Sequence, residues 1–130
     1  MKKMLLFFSL FTVLAAATCK KDEAEENIPP GSAKLRIENG TPFTIDSCYI
    51  SPGTWNGHDY GQINVNSLTD YFGFDSVYHY GYIRVKMNNK IYPLVPFDYV
   101  GETPYRKGNF TYKITYSTTL DQINLIFRQE

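Results

Sequence analysis

After residue 33 the apolar and polar residues of this chain alternate with a period of two, the pattern of strands that bury one face. Leu35 and Ile37 alternate with Lys34, Arg36 and Glu38. Asn39-Gly40-Thr41-Pro42 then supplies a turn, because Gly accepts positive φ and Pro has no N–H for a ladder. Residues 43–50 predict a second strand, bulged near Ser47, where Phe43 and Ile45 fall out of phase with Cys48 and Ile50. Residues 51–59 predict a loop and 60–63 a short strand, with Asn64-Val65-Asn66 turning into residues 68–74. The longest strand is expected over 77–87, with Gly81, Ile83, Val85 and Met87 on one side and Tyr80, Tyr82, Arg84 and Lys86 on the other. Asn88-Asn89-Lys90 reads as a hairpin turn into residues 91–95, where Pro93 argues for a sheet edge. Residues 96–105 are irregular, and Arg106-Lys107-Gly108-Asn109 forms a turn. Phe110, Tyr112, Ile114 and Tyr116 then make one alternating set, and Ile123, Leu125 and Phe127 another. No segment of this region has helical period. Seven or eight short strands in about 100 residues predict an all-β domain, a single antiparallel β-sandwich, with a small barrel as the alternative.

The N-terminus follows a different pattern. Lys2 and Lys3 precede an uncharged, mostly apolar run over residues 4–17, then come Thr18, Cys19 and charge. That run of 14 residues is short of the roughly 20 that a membrane-crossing helix needs. It fits the basic and apolar regions of a secretory signal. The stretch resembles a bacterial lipoprotein signal peptide, with Thr18 where that pattern usually has Gly, Ala or Ser. The resemblance implies cleavage of residues 1–18, lipidation of Cys19 and attachment to a membrane through acyl chains. Two or more chains hold a protein stably where one does so only reversibly. Residues 19–32 read as the lipidated cysteine and an acidic tether, too polar to offset its ordering entropy, and residues 33–130 as the domain. The run Lys20-Lys21-Asp22-Glu23-Ala24-Glu25-Glu26 also resembles the acidic export signal of Bacteroidota lipoproteins shown on the outer face of the outer membrane; a solvated linker is the alternative.

Composition narrows the function classes. Basic and acidic residues number 13 each, and two lysines leave with the signal, so residues 19–130 carry a net charge near −2. Such a balance is no nucleic-acid footprint. Eleven tyrosines and nine phenylalanines are heavy usage for this length, and those placed in alternating runs point to strands. With Cys19 taken by lipid, Cys48 has no cysteine left to pair with, and its neighbours Ser47, Tyr49 and Ile50 place it in a strand as a buried thiol.

Within the domain, Leu35-Arg36-Ile37-Glu38-Asn39, Tyr60-Gly61, Thr69-Asp70-Tyr71 with Phe74, Tyr78-His79-Tyr80-Gly81-Tyr82, and above all Pro96-Phe97-Asp98-Tyr99-Val100-Gly101-Glu102-Thr103-Pro104 followed by Gly108-Asn109-Phe110-Thr111-Tyr112 resemble a group of small Bacteroidota lipoproteins. That family brings no assigned activity and no catalytic residues. The Gly108-x-Phe110-x-Tyr112 turn also looks like the end of immunoglobulin-like or prealbumin-like modules, which implies a sandwich by analogy.

Candidate chemistry is sparse. Asp98 and Glu102 suit a carboxylate pair or calcium, but a calcium site takes six or more oxygens. The plainer expectation is that Asp98 accepts backbone N–H bonds and Glu102 pairs with Arg106 or Lys107. His58, Asp59 and His79 lack zinc-ligand spacing, and no nucleophile elbow or phosphate loop is present. An enzyme would need a cleft gathering Asp98, Glu102 and a histidine; the expectation is a non-enzyme without cofactor or metal. Trp55, Tyr78, Tyr80, Tyr82 and Tyr105 are candidates for an aromatic face that binds a glycan or a protein, with core and cross-strand packing as the alternative use. Asp75-Ser76-Val77 resembles a Bacteroidota O-glycosylation acceptor, which makes Ser76 a candidate; Asp46-Ser47-Cys48 has the same form, but Ser47 is expected in a strand. The function expected is thus that of a lipid-anchored outer-membrane protein, a binding or accessory module or else a structural component or subunit of a surface complex.

Overall fold

A computed structural model describes residues 26–53 and 56–130. The alternation read from the sequence becomes burial most directly in β1 (Ala33–Asn39), where Ala33, Leu35 and Ile37 are fully buried and Lys34 is exposed. β2 (Ser47–Ser51), β3 (His58–Asp59), β4 (Phe72–Phe74), β5 (Tyr82–Met87), β6 (Lys90–Leu94), β7 (Gly108–Ser117) and β8 (Gln122–Gln129) follow, and every element among the described residues is a strand. They form two four-stranded sheets, ordered β4-β1-β7-β8 and β3-β2-β5-β6. Their facing sides meet in one core of Leu35, Ile37, Phe110, Tyr112 and Ile114 from the first sheet and Cys48, Ile50, Ile83, Val85 and Met87 from the second. The domain is a β-sandwich. Full burial of each such side chain contributes about 1.5–3 kcal/mol before entropy is charged against it.

Several details depart from the expected elements. The sandwich is not wholly antiparallel: β1 runs parallel to β7 from Ala33↔Gly108 to Asn39↔Ile114. Parallel neighbours need a long connection, and here it is the entire second sheet together with β4. Residues 58–59, expected in a loop, form β3 against Tyr49 and Ile50. Residues 60–63 are not a strand: Tyr60 N donates to Cys48 O, and Ile63 forms an isolated bridge with Ile45. A bend at Asp46 separates Ile45 from β2 and resets the side-chain phase where a bulge was expected. The run 77–87 is broken, so β7, with ten residues, is the longest strand. Val77 exchanges backbone hydrogen bonds with Tyr105, Tyr78 N donates to Pro52 O, and only from Tyr82 does the chain pair along β2. The Asn88-Asn89 turn is as expected, with positive φ at both residues, and β6, which carries Pro93, lies at an edge.

Each open side of the sandwich is closed by polar and aromatic contacts. Between β3 and β4, the His58 ring stacks on Phe72 with centroids 3.7 Å apart, and Tyr60 donates from its hydroxyl to Leu35 O at 2.7 Å. Burial lowers the His58 pKa, with the nearby Asp59 charge opposing. Between β6 and β8, Asp121 in the β7–β8 turn accepts from Tyr92 (3.0 Å) and Tyr116 (2.8 Å) and pairs with Lys90. Those bonds, the Lys90 one foremost, hold the Asp121 carboxyl down at about 2. On the outer face of the first sheet, Glu38 pairs with Lys113 (3.0 Å) and Arg128. Burial pushes its carboxyl up, and the two cations more than offset this, leaving it below the usual range. Cys48 is fully buried and free, and burial pushes its thiol far up, which suits packing and not nucleophilic chemistry.

One buried polar side chain organises the end of β1. Asn39, with no exposure, donates through Nδ2 to Phe43 O (2.8 Å) and Ile63 O (2.9 Å) and accepts through Oδ1 from Thr41 N (3.0 Å) and Thr41 Oγ1 (2.8 Å). Low local dielectric makes such a satisfied network specific and its loss costly. Asn39→Ala is expected to destabilise the fold by about 1–3 kcal/mol, because the Thr41 N–H loses its acceptor while Phe43 O and Ile63 O each keep another donor; urea unfolding measures it. The Asp121 clamp carries a pH signature. Its folded pKa is depressed from 3.8 to about 2, so its stabilisation is complete above the unfolded value and is lost as pH falls through the folded one. Thermal unfolding between about pH 4 and pH 2 is expected to fall less steeply in Asp121→Ala than in the parent.

Candidate functional site

The strand directions bring four segments to one end of the sandwich. The start of β1 lies beside the start of β7 and the end of β4, through Ala33↔Gly108 and Ala33↔Phe74. The end of β2 meets the start of β5 at Ser51↔Tyr82, and the end of β6 lies beside Ile83. Residues 26–32, the turn at 52–53, the connection 75–81 and the connection 95–107 therefore share this end. Direct contacts tie them together: Gly31 N donates to the Asp75 carboxylate (3.2 Å), Lys107 pairs with Glu26, and Gly108 N donates to Ser32 O (3.1 Å). Residues 26–32 thus lie against the domain, although they belong to the stretch read as tether. Glu26, Asn27, Ile28 and Arg106 line an open depression where this segment crosses.

Three tyrosines stack at this end. The Tyr78 and Tyr99 rings are 4.3 Å apart and tilted, and the Tyr80 and Tyr99 rings are parallel within 12° at 5.4 Å. Tyr80 also donates to Asp98 O at 2.9 Å, which fixes the 95–104 connection to the stack. Gly53 makes room for the first ring: a Cβ there would lie 2.0 Å from Tyr78 Cδ2, and its φ of +102° disfavours any side chain. All three tyrosines are half-buried. Burial raises the Tyr80 and Tyr99 pKa values, and for Tyr80 the Glu102 and Asp98 charges add to it.

The connection itself has defined geometry. Asp98 Oδ1 accepts from Val100 N (3.0 Å), as expected of that carboxylate. Glu102 N donates to Tyr99 O (3.0 Å), closing a turn whose third residue, Gly101, has φ +79°, the form that requires a glycine there. These bonds hold Phe97 and Val100 outward, 100% and 86% exposed, beside Val95 at 69%.

The sequence candidates are distributed unevenly. Tyr78 and Tyr80 share the stack, whereas Tyr82 packs edge-on to Tyr49 (6.2 Å) across β2 and β5. Tyr105 packs with Phe110 (4.9 Å) and Phe127 (5.5 Å) at the margin of the core. Trp55 and Cys19 lie outside the described residues. Ser76 is half-buried between Asp75 and Val77, and Ser47 lies in β2. Tyr99 and Phe97 were missed as candidates, although both stand in the Pro96 to Pro104 block; a third tyrosine one residue from Asp98 was the available signal. Glu102 does not pair with Arg106 or Lys107. It approaches His79 Nδ1 at 3.8 Å, because the 95–107 connection folds back over residues 78–80, while Lys107 is engaged by Glu26. His79 Nε2 is 3.1 Å from the Tyr105 hydroxyl. A carboxylate, an imidazole and a phenol therefore stand in line, with the first contact at ion-pair distance, longer than a hydrogen bond. Among the described residues no group of three or more His, Cys, Asp or Glu stands close enough to hold a metal ion.

Fold and site together define a two-sheet all-β module with an aromatic, partly apolar end. No family model matches the chain, and no curated protein matches it. Among solved structures it is similar to an NMR structure of a protein from Eubacterium rectale, with a TM-score of 0.56 and 9% identity over 77% of this chain and 91% of that one. At this identity the likeness shows the fold alone.

Gly53→Ala is expected to displace the Tyr78 ring and loosen the three-tyrosine stack while the core stays intact. Near-UV circular dichroism should lose intensity with the far-UV spectrum unchanged, and an unchanged near-UV spectrum would mean that the stack does not depend on that glycine.

Proposed function

We propose that this chain is a lipid-anchored protein of the bacterial cell envelope, held at the outer membrane by acyl groups on Cys19, whose domain is a non-enzymatic binding or accessory module. The observation that carries the anchoring is the order of Lys2 and Lys3, the apolar run 4–17, Thr18 and then Cys19 followed by charge. A signal too short to span and a cysteine at its end suit processing and acylation. The binding role draws support from Tyr78, Tyr80 and Tyr99: stacked rings with polar tips are suited to the apolar face of a sugar or to a protein side chain. The edge strands β6 and β8 expose Ile91 and Ile126, which favours a second reading, a structural component or subunit of a surface complex.

Metabolic labelling with palmitate should mark the native chain, and the native chain should float with membranes; Cys19→Ala should be unlabelled. Label on Cys19→Ala, or none on the native chain, removes the anchoring reading. Changing Tyr80 and Tyr99 together to Ala is expected to lower retention on immobilised envelope glycans at least tenfold with far-UV circular dichroism unchanged. Equal retention of parent and variant would favour the structural reading.

A further inference from the structure

The apolar groups at the tethered end need a partner. Phe97, Val100 and Val95 are the most exposed of the large apolar residues described, and they stand together on one connection. They do not hang loosely: the Asp98 side chain, the Gly101 turn and the Tyr80 hydroxyl hold that connection in shape. Fixed apolar groups facing solvent mark an interaction site. The parallel pairing of β1 with β7 puts them at the end where residues 26–32 enter the domain.

Distance then selects the occupant. From Cys19 to Glu26 the chain makes seven Cα steps, at most about 25 Å at roughly 3.3–3.6 Å each. Glu26 is itself held to Lys107, on the connection that carries Phe97. An acylated Cys19 therefore keeps this end close to the lipid surface. The chemistry of the end matches an interface: Phe97 and Val100 stand foremost on a connection held in shape, with Val95 beside them. Glu26, Asp75, Asp98 and Glu102 outnumber Arg106 and Lys107 here, so attraction to anionic lipid does not drive the docking and the apolar groups must.

We infer that the 95–101 connection is a membrane-docking loop, in which Phe97 and Val100 insert into the headgroup region of the bilayer that holds the Cys19 acyl chains. This rests on the anchoring proposed above. Docking would orient the sandwich with its Asn88-Asn89 and β7–β8 turns away from the membrane, since those turns lie at the opposite end of the strands.

The test uses the lipidated chain carrying Phe97→Trp, with Trp55→Phe to remove the native indole. The protein is reconstituted in vesicles of phosphatidylethanolamine and phosphatidylglycerol whose acyl chains carry or lack bromine. Flotation reports the anchor, and indole fluorescence reports the loop. Docking predicts a blue-shifted emission that brominated chains quench at least twofold, with little change in high salt. A chain that floats but shows hydrated emission, quenched by acrylamide and not by bromine, overturns the inference while anchoring stands. A chain that floats with its indole shielded from both quenchers has the loop covered by protein, a second copy included, and this also overturns it. Failure to float removes the anchoring reading and the docking with it.

Discussion

The parallel pairing of β1 with β7 is the constraint from which the rest of the arrangement follows. Strands joined by a hairpin would place the beginning of β1 and that of its neighbour at opposite ends; β1 and β7 instead begin together, at Ala33 and Gly108. The entering chain, the connection before β7 and the end of β4 are thereby gathered at one pole. The whole second sheet lies between β1 and β7 in the chain, so this pole is built from contacts distant in sequence, such as Val77 with Tyr105 and Glu26 with Lys107. The long loop-closure this demands is offset by the shared core of the two sheets.

Between its poles the two sheets are tied together along both sides without covalent closure. Unpaired sheet edges invite association, and here the two sides are bridged by different chemistry. On one, His58 lies flat on Phe72 and Tyr60 reaches a β1 carbonyl. On the other, Asp121 gathers Lys90, Tyr92 and Tyr116. Asn39 ties the end of β1 to two connections through the carbonyls of Phe43 and Ile63. Aromatic residues thus serve in two capacities: Phe110 and Tyr112 fill the core, while Tyr78, Tyr80 and Tyr99 stack on one another at the surface.

That division explains how much of the candidate site was legible beforehand. Alternation over Leu35 to Ile37 and Phe110 to Tyr116 marked β1 and β7 with correct faces, because a period of two is a local property that burial on one side enforces, whereas Gly108 and Asn109, expected in a turn, open β7 against Ala33 and Lys34. The Asn88-Asn89 turn and the edge position of Pro93 were equally local. The single aromatic face expected from Trp55, Tyr78, Tyr80, Tyr82 and Tyr105 was not: Tyr82 stayed in register on β5, and Tyr105 turned in toward Phe110 and Phe127. No pattern along the chain distinguishes a tyrosine that stacks outside from one that packs at the margin, since both alternate with polar neighbours. Nor could it reveal that Glu102 meets His79 and leaves Lys107 to Glu26, a choice made by how the 95–107 connection folds back.

The sequence by itself determined the class of fold, the Asn88-Asn89 turn, the burial of Cys48 and the expectation of a processed N-terminus ending at Cys19, for each depends on residues near one another along the chain. Tertiary structure alone decided that β1 and β7 run in the same direction and that Phe97, Val100 and the tyrosine stack stand where the chain enters the domain. The physical reason is that strand direction across a sheet is set by which distant segments can share a core and satisfy each other's backbone groups, information that no short window of residues carries.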